Sequence, residues 1–254
     1  MSIMDILSRA EGSIAVIGRE GHFRSEVALK QACRMLTAPH YARFESLFER
    51  DWAFCTNGYF IASEGRLTGY ILTSEHQIAD VGPTVFLGLS AGESERVGRA
   101  QTVKAYALAL LDTTRTKPPT AWVWGTTVSP VVYLATSSYL ADFAPLDQAQ
   151  SISTQASVAA RIVEDRSDWG WHPPQQHEPF VLRGVSRSVK YSASESERLH
   201  AMRKKAPIFD ARDVSEERGD RLLFVGRPPE PRLTQVLTTR VLRGTTVVNS
   251  TEGL

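Results

Sequence analysis

The stretch from residue 84 to residue 111 constrains this chain more than any other. Thr84-Val85-Phe86-Leu87-Gly88-Leu89 is almost unbroken apolar sequence of strand length, which predicts a strand buried on both faces at the centre of a sheet. A polar, glycine-bearing turn follows, and then Ala100, Val103, Ala107, Leu110 and Leu111 recur at the 3.6-residue period of a helix. The first turn of such a helix leaves backbone N–H groups without partners at the positive end of the dipole, which makes it an anion site. Gly98 and Ala100 keep bulky side chains away from it, while Arg96 and Arg99 bring guanidinium groups suited to phosphate. The backbone from Val97 to Gln101 is therefore the expected pyrophosphate cradle.

At 254 residues and 42% hydrophobic the chain is long enough for one elaborated domain, or one domain with a smaller module. No run approaches the roughly 20 apolar residues of a membrane span. Met1-Ser2-Ile3-Met4-Asp5-Ile6-Leu7 lacks the basic and apolar regions of a secretory leader, and Cys33 and Cys55 sit in apolar surroundings without partner spacing. These features predict a cytoplasmic protein with two buried free thiols. Net charge is +1, so there is no strong global field, yet 23 of the 29 basic residues are arginine.

Helices are expected from Ser25, with Leu29, Ala32, Cys33 and Leu36 on one stripe, and after Pro39, with Tyr41, Phe44, Leu47 and Phe48 on one side. Gly58–Ser63 and Arg66–Thr73 read as a hairpin about Glu64-Gly65, and Ala121–Val128 as a strand. Ser129-Pro130 opens a helix carrying Tyr133 and Tyr139. Beyond residue 148 the pattern gives helices over 153–164 and 195–205, strands over 180–185 and 222–225, and a last strand within 237–248. The segment Asp168-Trp169-Gly170-Trp171-His172-Pro173-Pro174, rich in aromatic residues and proline, reads as a loop or lid.

This mixed α/β (α+β) order resembles the GCN5-related N-acetyltransferase (GNAT) superfamily, in which a central strand feeds a pyrophosphate-binding helix. The span Glu95-Arg96-Val97-Gly98-Arg99-Ala100 matches that family's acyl-CoA motif, with Glu95 standing where the family has Gln or Arg. Ser129-Pro130 through Tyr139 to Asp142-Phe143 matches its next helix. The resemblance covers roughly residues 20 to 148. It divides the chain into a GNAT-like domain over 1–148 and a C-terminal extension or subdomain over 149–254.

What the resemblance implies is transfer of an acyl group from an acyl-CoA donor, acetyl-CoA by default, to an amine. That acceptor is a small molecule or a macromolecule. Arg96, Val97, Gly98, Arg99, Ala100 and Gln101 would hold the donor, and Tyr139, with Tyr133 as second choice, would supply the proton to the leaving thiolate. Glu75 and His76 are the base candidates, and Trp169 and Trp171 the substrate-binding ones. His172 and His177 lack a third ligand at metal spacing, and no metal is expected. Two readings remain beside this one. The arginine excess, Arg203-Lys204-Lys205 and the paired tryptophans suit a nucleic-acid-binding or nucleobase-modifying protein, although the flat charge balance does not. Glu93 and Glu95, carboxylates beside the phosphate cradle, suit a non-catalytic relative.

Overall fold

Alternating apolar residues in the first half of the chain build most of one large sheet. The computed structural model describes residues 2–93, 96–146, 153–171 and 178–250, and for residues 96–100 and 153 the backbone alone. Helix α1 (Ile3–Ser8) leads into β1 (Ser13–Gly18), and α2 (Val27–Thr37), a short β2 (Tyr41–Arg43) and α3 (Glu45–Phe54) follow. Strands β3 (Asn57–Ser63) and β4 (Arg66–Ile78) form the expected hairpin. Glu64 and Gly65 turn it with φ of 50° and 72°, the pair of positive angles that a two-residue type I′ turn requires.

Strand β5 (Gly82–Gly92) continues the meander and gives way to α4 (Arg96–Thr116), after which β6 (Trp122–Thr127) lies parallel to β5. Helix α5 (Pro130–Tyr139) starts as its sequence dictates. Ser129 Oγ accepts from the Val132 N–H at 3.4 Å, and Pro130 stands in the first turn. Then come β7 (Ala141–Ala144), α6 (Ser153–Asp165), β8 (Val181–Leu182), β9 (Lys190–Tyr191), α7 (Ala193–Arg203), α8 (Ile208–Ala211), β10 (Arg221–Arg227), α9 (Pro231–Val236) and β11 (Thr246–Asn249).

The strands lie in the order β11-β1-β3-β4-β5-β6-β10-β7, with β8 on β10, while β2 and β9 form a separate small ribbon. The β5–β6 and β1–β11 pairs are parallel and the other pairs antiparallel. This is a mixed α/β architecture, a large mixed central sheet flanked by helices. Helices cover both faces. Tyr70 Oη meets Thr37 Oγ1 of α2 at 2.6 Å, whereas Gly69, its neighbour on β4, lies against the Gln101 backbone of α4. Successive strand residues point to opposite faces, so α2 and α4 sit on opposite sides of the sheet.

Several expectations need correction. Helix α2 begins at Val27 rather than beside Ser25. Glu26 precedes it, and its carboxylate instead accepts the Ile3 and Met4 N–H groups at the start of α1. Tyr41 belongs to β2, not to a helix, because β9 offers it a strand partner 150 residues away. Within 237–248 the chain first forms a π-helical turn, Leu237–Val241, and becomes strand only from Thr246, where β1 supplies a parallel edge. Strands from both sides of residue 148 share the sheet, with β10 between β6 and β7 and β11 at the far edge.

Candidate functional site

The site begins with an irregularity in β5. Ile71 pairs with Ser90 and Thr73 with Leu87, so Gly88 and Leu89 together face Leu72 alone. That extra residue is a β-bulge, which bends its strand and sharpens the local twist. Pairing between β5 and β6 ends at the same level. Its last register is Leu87 with Gly125, although β5 runs on to Gly92 and β6 to Thr127. Beyond Leu87 the two parallel strands part, and residues 88–92 of β5 have no strand partner on that side among the described residues. A parting at the C-terminal ends of parallel strands is where ligands enter α/β sheets.

A cleft of about 200 Å³ fills the gap. Its floor is β5 from Phe86 to Gly92 with Thr126 and Thr127 of β6, and its sides are Thr102, Val103 and Tyr106 of α4 and Val131, Val132 and Ala135 of α5. Arg50 and Asp51 from α3 close one end. The mouth is formed by His40, Tyr41, Tyr191, Glu195 and Arg198, three of which come from beyond residue 148.

The charged groups lining this cleft all have partners, and Glu93, at the end of β5, pairs with Arg66 at 2.7 Å. Asp51 Oδ1 accepts from Arg50 Nε and Nη2 at 2.8 and 2.7 Å, and Asp51 Oδ2 accepts the Leu89 N–H of the bulge at 2.7 Å. At the mouth, His40 Nε2–H donates to the Gly92 carbonyl at 2.6 Å while Nδ1 faces Glu195 Oε2 at 3.7 Å, and Arg198 pairs with the same carboxylate. The hydrogen bond with Glu195 raises the His40 pKa against the opposing effect of burial. Burial would raise the Glu195 carboxyl, but His40 and Arg198 hold it down at about 2. Tyr106 stands on the cleft side of α4, where Ser90 Oγ donates to its hydroxyl at 3.2 Å. Burial pushes its pKa up to about 12, so it keeps its proton and stays a donor at neutral pH.

The residues singled out from sequence fall differently. Arg96, Val97, Gly98, Arg99 and Ala100 form the first residues of α4, and their side chains lie outside the described residues. Gln101 is buried against Gly69 of β4 and does not line the cleft. Tyr133 is buried between Phe143 and Phe209 and donates to the Pro145 carbonyl at 3.0 Å. Neither it nor Tyr139, which packs against the core, lines the cleft; on α5 that face carries Val131, Val132 and Ala135. Glu75 is taken up by Asn57 and Lys117. His76 stacks on Phe54 at 4.6 Å, and burial with the nearby Arg166 charge lowers its pKa to about 4. Both stand away from the cleft. Trp171 is buried and Trp169 half-buried, packed on Phe54, Phe86 and Trp124 one layer behind the cleft wall. His172 and His177 lie outside the described residues, as do Ser94 and Glu95. Among the described residues there is no cluster of three potential metal ligands, and no helix is long and apolar enough to cross a membrane.

Sequence reasoning missed the tyrosine of the cleft and its mouth. Val103 and Thr102 lie three and four residues before Tyr106, which puts all three on one helix face, a spacing that served equally well for a core stripe. The mouth brings residues 40–41 to residues 191–198, and no local pattern signals that.

No protein-family model and no curated protein matches the sequence. Two solved structures are similar in part. One is a conserved protein of unknown function from Enterococcus faecalis V583, a probable N-acyltransferase: 14% identity, TM-score 0.35, over 48% of this chain and 31% of that one. The other is an agmatine N-acetyltransferase mutant in its apo form: 10% identity, TM-score 0.37, over 54% of this chain and 89% of that one. The chain thus spans about a third of the length of the first. Likeness at this level carries no argument about chemistry, which rests on the cleft itself.

Proposed function

We propose that this protein is an N-acyltransferase that moves an acyl group from an acyl-CoA donor to an amine held at the mouth of the cleft. One observation carries the reading: β5 bulges, parts from its parallel neighbour β6, and gives way to the N-terminus of α4. The parting leaves β5 over 88–92 without a strand partner on that side among the described residues, with the Leu89 N–H held by Asp51 and the Gly92 carbonyl by His40. Such an edge is fit to hydrogen-bond an extended arm rich in amides, as a sheet edge binds an added strand. The first turn of α4 offers backbone N–H groups to phosphate at the end of that edge. Acyl-CoA combines those two demands, and it supplies a thioester whose carbonyl an amine attacks.

The chain's own part is placement and proton handling. Tyr106 places its hydroxyl inside the cleft beside Ser90 of β5, and in this reading it replaces Tyr139 and Tyr133 as the group that gives a proton to the departing thiolate, its own proton being restored by the one the attacking amine loses. Calorimetric titration with acetyl-CoA is the test. Acetyl-CoA should bind the parent protein, and Gly98→Asp should remove binding while leaving the melting temperature within a few degrees. A carboxylate at that helix start would stand near the phosphates, where repulsion in a partly buried site amounts to about 4 kcal/mol. Equal affinity in both proteins, or no binding by the parent, would remove the acyltransferase reading.

A further inference from the structure

Trp169 does not line the cleft, yet a continuous chain of contacts joins it to the backbone there. Its ring sits 4.7 Å from Phe54, 5.4 Å from Phe86 and 5.2 Å from Trp171, centroid to centroid, which fixes its plane. Arg50 lies over that ring at 4.2 Å, within the range of a cation–π contact. The same guanidinium grips one oxygen of Asp51 through both Nε and Nη2, and the other oxygen of Asp51 holds the Leu89 N–H. Only 1% of the Asp51 side chain is exposed, so water does not compete for these bonds. Gly88 completes the arrangement, because a Cβ there would stand 3.1 Å from Asp51 Oδ2 and 3.0 Å from Cys55 Sγ. A side chain at position 88 would press on both atoms, so glycine lets the bulge approach the carboxylate this closely without displacing them.

The Leu89 N–H matters because the bulge takes it out of the β4–β5 ladder inside a cleft suited to acyl transfer. Charge that develops on an acyl oxygen is stabilised by a fixed backbone donor. Here a carboxylate occupies that donor, and a carboxylate resembles such an oxygen in charge and shape. We infer that Arg50 and Asp51 are positioning residues that hold the Leu89 N–H occupied until an acyl oxygen displaces the carboxylate, and that Trp169 sets the strength of that hold through Arg50. The relay stands on geometry alone, while the role of the acyl oxygen rests on the acyltransferase reading. Trp169 thereby affects the cleft from the layer behind it, without touching substrate.

The test uses the full chain labelled for amide NMR, with acetyl-CoA and free CoA as probes. Asp51→Asn gives the Leu89 amide signal its position without the charged acceptor. Trp169→Leu, which keeps apolar bulk and removes the ring face, should move that signal toward the Asp51→Asn position, and Trp169→Phe should bring it most of the way back. The preference of the protein for acetyl-CoA over CoA should rise by about threefold to tenfold in Trp169→Leu, the worth of one backbone hydrogen bond no longer contested. If Trp169→Leu proves too unstable to study, Arg50→Lys tests the same link, since it keeps the charge and loses the two-pronged grip. A Leu89 signal that shifts in Asp51→Asn but stays in place in both Trp169→Leu and Arg50→Lys would overturn the relay. A shifted signal with an unchanged acetyl-CoA preference would overturn the competition with the acyl oxygen. Should the signals behave as expected while neither probe binds the parent, the relay stands and the acyltransferase reading fails alone.

Discussion

His40 shows how one side chain joins distant parts of the chain. Both ring nitrogens have acceptors before them, the Gly92 carbonyl and the Glu195 carboxylate, so the doubly protonated ring fits the site best. Its folded pKa lies above the usual value of 6.5, so its contribution to stability is full below about pH 6.5 and is lost as pH rises through the folded pKa. Glu195 runs the opposite way. Its pKa falls from 4.5 to about 2, so its contribution is present above pH 4.5 and is lost as pH falls toward 2. The two overlap between about pH 4.5 and 6.5. His40→Gln should therefore lower the melting temperature most near pH 5.5 and least above pH 8. A melting difference independent of pH across that range would show that the ring proton is not shared with Glu195. At the same scale part of the arginine set is used within the chain: Arg19, Arg34, Arg50, Arg66, Arg198 and Arg218 all pair with its carboxylates.

At the scale of elements, the position of α4 over the sheet decides where its N-terminus meets β5. Two contacts set it. Near the C-terminal end Asp112 accepts from Arg19 at 2.6 Å and from Tyr59 at 2.8 Å, which ties the helix to β3 and to the residue after β1. Near the start Gly69 of β4 lets the Gln101 backbone come so close that a Cβ would stand 2.9 Å from the Gln101 carbonyl carbon. Backbone cannot move aside as a flexible side chain can. Gly69→Ala should therefore cost about 1–3 kcal/mol in urea unfolding and weaken acetyl-CoA binding by shifting the first turn of the helix. Unchanged stability would mean that the α4–β4 spacing has slack. The strand and the helix themselves were legible in sequence. Apolar strand 84–89 and periodic helix 100–111 appear within β5 and α4, because each carries its own period. The bulge at Gly88-Leu89 was not, since it shows only in how β4 and β5 register against one another.

The whole molecule interleaves strands from both halves of the chain. Strand β10, from residue 221 onward, pairs antiparallel with both β6 and β7, and Leu222, Leu223, Phe224 and Val225 are all buried. A fragment of residues 1–148 would expose the inner edges of β6 and β7 and lose that apolar surface, which is worth about 1.5–3 kcal/mol for each large side chain. We expect it to remain unfolded or to aggregate, and a cooperative melt with native-like circular dichroism from this fragment would show that residues 1–148 form a domain by themselves. The mixed α/β class, the hairpin about Glu64-Gly65, the strand that gives way to α4 and the capped start of α5 could all be read from the residues alone. Each of these is written in local periodicity, turn chemistry or caps. Only the tertiary structure decided that Tyr106 rather than Tyr133 or Tyr139 stands in the cleft, that Trp169 and Trp171 pack behind it, and that Tyr191, Glu195 and Arg198 form its mouth. Those outcomes depend on which face of a helix meets the sheet and on which distant strands pair, and such contacts are settled by burial across the whole core rather than by any one stretch of residues.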